Sequence, residues 1–559
     1  MTDQRASAVD ALADRYWERA LELSPLTATV YGDDRWDDRL PDPGPAGRAR
    51  ARALFEETRR AADAIPEAGL QVEERLTRDA LRLLCEISLE ELDRRWYLVE
   101  AVDQMGGAQT TLPDLSNFQR ADTPERLGKL LARIEAYPAY IEATSELLRE
   151  AIAAGTTQPS IVVERTIAQF ERLLALPVAE HPLASRTAVA SEGDRATIAA
   201  AIERYARPAD RAHLELLRSS YLPAARPSVG LTTIPGGDAL YRQRIRYWTT
   251  LPLEPEAVHA IGLEEIEAID VERRAIANAA GLGDDVAAYR RAMREDPADR
   301  PASVEALIAR ATEDVGRALE AAPRYFGRLP LAGCEVRAVE AFKEADAPPA
   351  YYYPPTVDRS RPGIYYVNTY DLPSRHFSTL ASTTYHEATP GHHFQISLEM
   401  ELPGLPLFRR LGARAVSASF VEGWGLYSER LADEMGLYRD AYERFAMLDA
   451  QAWRAARLVV DTGMHALGWT RDRSIRYLAD AAGIVETDAI IETDRYIAWP
   501  GQALAYMIGR REIDRLRAEA AAALGSRFDL RAFHDAAIGH GSLPLATLAR
   551  ELPRWLGIG

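Results

Sequence analysis

Three of the chain's ten histidines fall within eight residues, in the run Tyr385-His386-Glu387-Ala388-Thr389-Pro390-Gly391-His392-His393. Imidazoles crowded beside a carboxylate make the donor set of a zinc site. A glutamate next to the first ligand can then act as general base, as in the His-Glu-x-x-His arrangement. The spacing here is longer. On a regular helix, position i+6 lies about 240° round from i and roughly 9 Å along, and i+7 about 10.5 Å along, so neither lets two imidazoles share an ion at ~2.1 Å. Pro390 and Gly391 offer a remedy. Proline has no N–H for the carbonyl of His386 and glycine tolerates unusual dihedrals, so a local bulge can bring a later histidine into the i+4 place. Displacing two residues delivers His392, and displacing three delivers His393; His392 is the favoured ligand.

A catalytic zinc site takes a third protein ligand. In Ser419-Phe420-Val421-Glu422-Gly423-Trp424-Gly425-Leu426-Tyr427-Ser428-Glu429, the two glutamates are i, i+7 and share a helical face. Glu422 sits among apolar and small residues, where an unpaired carboxylate is costly to bury and a cation removes the cost. It is the expected third ligand. Glu429 is expected to pair with Arg430 or another surface charge.

The elements that must position these groups are mostly helices. Leu81, Cys85, Leu89, Leu92 and Trp96 recur at helical spacing between Glu73 and Trp96, and a similar stripe runs from Glu125 to Ile152. Pro255 suits the first turn of a further helix. The Pro- and Gly-rich stretch from Leu222 to Asp238 predicts a boundary between an N-terminal helical subdomain (1–222) and a catalytic subdomain (223–559) within one continuous body. Alternation predicts a strand over Cys334–Phe342 and another over Ile364–Val367, with turns at Tyr351–Pro355 and Ser360–Gly363. Helical patterning returns from Phe377 onward. The fold class is mainly α, with a short β-sheet beside the active-site helix.

Bulk properties narrow the function. A net charge of −17 excludes a nucleic-acid or anionic-membrane partner, because phosphate binding needs a basic surface. Cys85 and Cys334 are too few for a disulfide framework or a cysteine metal cage. No stretch approaches the ~18–20 apolar residues of a membrane span, and the first residues lack a signal-peptide pattern, so the expected location is cytoplasmic. The sequence does not predict an oligomeric state.

The motif His-Glu-Ala-Thr-Pro-Gly-His-His resembles the centre of a bacterial family known as domain of unknown function 885, itself similar to the helical zinc peptidases called gluzincins. The resemblance extends along nearly the whole chain. It runs through Glu254–Leu263, Ser360–Gly363, Glu422-Gly423-Trp424, Arg457–His465, Arg495-Tyr496, Pro500-Gly501-Gln502, Tyr506-Met507-Ile508-Gly509 and Gly541–Pro544. It implies a helical body around a deep channel, one Zn2+ per chain held by His386, His392 and Glu422, and Glu387 as base. Met507 departs from the lysine expected at that place in relatives.

The expected activity is hydrolysis of peptide bonds in short peptides, of carboxypeptidase or dipeptidase type. Alternatives are a metal-dependent amidase for a small peptide-like metabolite, or a non-catalytic helical binding protein. The resemblance points to His465, Tyr496 and Tyr506 as donors to the tetrahedral intermediate, with Asp461 placed one turn away to orient His465. Arg495 could hold a substrate carboxylate in a bidentate fork, with Gln502 close by in the sequence. The strand carrying Tyr365 and Tyr366 could offer its edge to an extended peptide.

Overall fold

The computed structural model describes residues 7–339, 348–356, 359 and 361–558. The apolar stripes form the expected helices. Helix α1 (Val72–Asp93) buries Leu81, Cys85 and Leu89, and Glu74 accepts the N–H of Gln71 to close its first turn. Trp96 is not on that helix: Arg95 turns left-handed at φ 56° and Trp96 opens a separate short turn. Helix α2 (Pro124–Ala154) starts at a Thr123 cap with proline at its head and stops at Gly155, φ 66°. Four further helices frame the centre: α3 (Gly237–Thr249), α4 (Pro255–Ala279), α5 (Val304–Ala321) and α6 (Phe377–Glu387). After these come α7 (His392–Met400), α8 (Ala418–Glu434), α9 (Ala441–His465), α10 (Glu486–Ala498) and α11 (Ala505–Leu524). The largest apolar cluster draws residues from Leu76 to Leu552, on both sides of position 222. Among the described residues, no helix is long and apolar enough to cross a membrane.

Three strands interrupt the helices: β1 (Cys334–Ala338), β2 (Ala350–Tyr353) and β3 (Gly363–Val367), in the order β1-β3-β2. β1 runs parallel to β3, and β2 antiparallel to it. Two expectations change here. Tyr351–Tyr353, read as turn because of the two prolines that follow, pairs as a strand; tyrosine suits a half-buried pleated surface, and Tyr351 stacks on Tyr366 at 4.8 Å. β3, expected to offer an edge to a peptide, is the central strand, so its N–H and C=O groups are used on both sides. Of the expected first strand, Glu340–Phe342 lie outside the described residues, as does Ser360.

β3 seats the site helix. Its Tyr365 and Val367 pack with Leu307, Ala311 and Val315 of α5 and with Leu380 and Ala388. The Tyr365 hydroxyl lies 3.2 Å from Thr384 Oγ1 on α6. On the other side α8 crosses α11 at very close range. A Cβ on Gly423 would lie 2.4 Å from the Gly509 carbonyl carbon, and one on Gly509 would lie 1.7 Å from the Ser419 carbonyl oxygen.

Candidate metal centre

The break between the histidines is larger than a bulge. α6 ends at Glu387, residues 388–391 leave the helix through a cis Thr389–Pro390 bond, and His392 begins α7. A Cβ at Gly391 would sit 1.9 Å from the His386 carbonyl oxygen, so only glycine lets the chain fold back over that turn. Trp424 of α8 donates its indole N–H to the Pro390 carbonyl at 2.9 Å and pins the connection. The fold-back sets the His392 imidazole against that of His386, with ring centres 4.7 Å apart. His393 points elsewhere, its Nδ1 3.0 Å from the Tyr352 hydroxyl, and burial pushes its pKa down to about 4.

Glu422 completes a triangle. Its Oε2 is 3.7 Å from His386 Nε2 and 3.5 Å from His392 Nε2. Donors ~2.0–2.1 Å from a tetrahedral ion stand about 3.3–3.5 Å apart, so this set fits one zinc with little adjustment. A Glu387 oxygen also lies within 4.8 Å of both imidazoles. Gly425, three residues beyond Glu422, makes room: a Cβ there would be 2.8 Å from His386 Nε2 and 3.0 Å from His392 Cε1.

Glu429 is not a surface carboxylate. It is buried and accepts the Nδ1–H of His386 at 2.8 Å, while its other oxygen takes an N–H of Gln451 at 2.9 Å. Arg430 pairs instead with Glu272. Glu429 thereby fixes the His386 tautomer with Nε2 free to ligate. His392 Nδ1 is buried and has no partner among the described residues.

The local field favours a cation. Burial pushes His386 down, but the bonds to Glu422 and Glu429 and the charge of Glu387 more than offset that and raise it to about 9. Burial likewise raises Glu422, yet the two imidazoles outweigh it and hold the carboxyl well below its usual range. Three carboxylates around two imidazoles demand positive charge, from protons or from a metal ion.

The remaining expected site residues divide. Tyr506 lies beside the centre, its ring stacked on His386 at 6.4 Å. Burial, then the charge of Glu422, raises its phenol. Tyr496 is close to Tyr506 in a polar cluster, but its hydroxyl is occupied by Arg457 Nε at 2.8 Å and by Glu492. Arg495 is held by Glu492 at 2.7 Å and by the Gln502 side-chain oxygen, so neither Arg495 nor Gln502 stands free. His465 is fully buried and donates to the Tyr496 carbonyl at 3.0 Å, with its pKa pushed down to about 3 by burial. Asp461 does not orient it. That carboxylate accepts from the Tyr241 hydroxyl at 2.6 Å and from the Gly501 N–H at 3.1 Å. Tyr365 and Tyr366 are buried within the sheet, and Met507 is buried in the core. Gly425, Gln451, Arg457 and Glu492 went unrecognised as parts of the site in the sequence. Gly425 carried a signal in its i, i+3, i+7 spacing with Glu422 and Glu429, and Arg457 in opening a segment that matches the family.

Comparison with known proteins gives the same fold. The structure of "the putative lipoprotein from Colwellia psychrerythraea" aligns with a TM-score of 0.90 at 25% identity, covering 99% of this chain and 100% of that one. That of "a putative lipoprotein of unknown function from Shewanella oneidensis" aligns at 0.75 and 19% identity, covering 98% and 99%. No curated protein matches. The family of bacterial proteins of unknown function DUF885 matches residues 25–552, and this chain belongs to it.

Proposed function

We propose that the protein is a zinc-dependent hydrolase of gluzincin-like type, acting on peptide bonds of short peptides at a helical cleft around His386, His392 and Glu422. The observation that carries this reading is the pair of separations, 3.7 and 3.5 Å, between one Glu422 oxygen and the two imidazole nitrogens. A bound zinc would supply Lewis acidity toward a carbonyl oxygen and a water acidic enough to ionise near neutral pH. The chain's own groups do the rest. Glu387 is partly exposed beside the ligands and takes the water proton, then delivers it to the leaving amine. Tyr506 keeps its proton, because its phenol is raised, and offers it as a hydrogen bond to the developing oxyanion. Glu429 holds His386 in place throughout.

Glu387→Gln tests the reading. The variant should fold and retain one zinc per chain, while turnover of a susceptible di- or tripeptide falls roughly 10²–10⁴-fold, the usual weight of a general base. Equal turnover with zinc intact would overturn the mechanism. The 25%-identical structural neighbour is described as a lipoprotein, which favours a membrane-attached location over a cytoplasmic one, and cell fractionation decides between the two.

A further inference from the structure

Beside the metal ligands lies a polar cluster with more positive charge than its own acid neutralises. Arg457 of α9 and Arg495 of α10 both lean on Glu492, at 3.2 and 2.7 Å. Burial would raise that carboxyl, but Arg495 and Arg457 more than offset it and hold it at about 2, so it is ionised. The cluster therefore carries two guanidinium groups against one carboxylate. Three nearby acids are committed elsewhere. Glu422 is engaged with the imidazoles, Asp494 with Arg165 and Arg471, and Asp461 with Tyr241 and Gly501.

Arg457 is the member with a donor to spare. Its side chain is only 6% exposed, its Nε serves the Tyr496 hydroxyl, and its Nη1 is buried with no partner among the described residues. A buried N–H with no acceptor, on a surplus charge, is costly unless something else answers it. The guanidinium is held in place between the rings of Trp453 at 4.8 Å and Tyr506 at 4.6 Å. Both rings are partly exposed, so a ligand can approach from their side.

The cluster also stands at a suitable distance from the reaction centre. The Tyr506 ring links the two, 4.6 Å from the Arg457 guanidinium and 6.4 Å from the His386 ring. At ~3.3–3.6 Å per extended residue, these two steps span at most about three residues.

We infer that Arg457, backed by Arg495, recognises a free carboxylate on the substrate, so that the site selects peptides whose C-terminus lies one or two residues beyond the bond at the metal ligands. This rests on the hydrolase reading above and assigns the carboxylate contact to Arg457, because the fork of Arg495 is already taken. Planar, paired donation from a guanidinium is what a carboxylate binds best.

Binding and turnover are measured separately, so that each idea can fail alone. The zinc-loaded Glu387→Gln protein is incubated with a mixture of Ala-Xaa-Ala tripeptides covering the twenty residues at Xaa. One set is prepared as free acids and one as C-terminal amides. Bound peptides are recovered by filtration and identified by mass spectrometry. The acids should be retained at least ten-fold over their amides. Arg457→Gln should collapse that ratio toward one, and Arg457→Lys, which keeps the charge but not the fork, should recover part of it. Equal retention of acids and amides overturns the carboxylate site even if the wild-type protein cleaves both sets, and so does retention of neither set. Selective retention of acids with no cleavage by the wild-type protein keeps the carboxylate site and overturns the hydrolase reading.

Discussion

The two imidazoles can approach α8 because Gly425 has no side chain. A methyl group there would press on His386 and His392 together, and His386 has no room to yield while Glu429 holds its far nitrogen. Gly425→Ala should therefore fold, since alanine suits a helix interior, yet bind zinc at least ~10-fold more weakly, as disturbed ligand orientation does elsewhere. Competition with a chromogenic chelator measures this, and an unchanged affinity would remove Gly425 from the account. His393→Ala is the contrasting case and should leave the affinity near that of the wild type, because His393 is turned toward Tyr352. What was legible at this scale was local. The His-Glu pair, the Pro-Gly break and the isolated Glu422 announce themselves within a few residues. Glu429 was misread because its neighbour Arg430 offered an obvious partner, whereas its real partner is 43 residues away in the chain.

Elements bring such distant groups together, and their docking can be tested through charge. α10 leans on α9 through Glu492, which accepts from Arg457 and from the Tyr496 hydroxyl. The Glu492 carboxyl is depressed from 4.5 to about 2 in the folded chain. A depressed acid stabilises the fold above its unfolded pKa, and that stabilisation fades as pH falls from about 4.5 toward 2. Glu492→Gln should thus cost roughly 3–4 kcal/mol in urea unfolding at pH 7, at ~1.4 kcal/mol per pKa unit, and the gap from wild type should narrow below pH 4.5. A gap of equal size at pH 3.5 and pH 7 would mean that the ion pairs do not join these helices. The same scale explains the reading of the strands. Alternation disclosed β1 and β3, but which strand lies between the others depends on pairing across loops, and so β3 was given a free edge that it lacks. The prolines after Tyr353 masked β2, although they end the strand and do not prevent it.

At the scale of the whole molecule, the three proposed ligands come from α6, α7 and α8, and only the packed core keeps them within reach of one ion. The helical architecture was legible in periodicity, and the family in motifs spread along the chain. The spacing of three helices around the centre was not, because it is set by contacts such as Gly423 against Gly509 and Trp424 against Pro390. Zinc should bind this assembled set far better than the unfolded chain, where Glu422 is no longer beside the two histidines. Preferential binding stabilises the fold by RT ln(1 + [L]/Kd), roughly 2.7 kcal/mol when free zinc is a hundred times Kd. The entropy of unfolding grows with chain length, so for 559 residues that free energy should raise Tm by about 1–3 °C, less than in a small domain. Differential scanning fluorimetry of the chelator-treated protein, with and without added zinc, reads the shift directly. Glu422→Ala should lose most of it, because two imidazoles alone hold zinc weakly, and His393→Ala should keep it. If Tm is the same with and without zinc, or if Glu422→Ala responds as fully as wild type, then the triangle of His386, His392 and Glu422 is not where the metal binds.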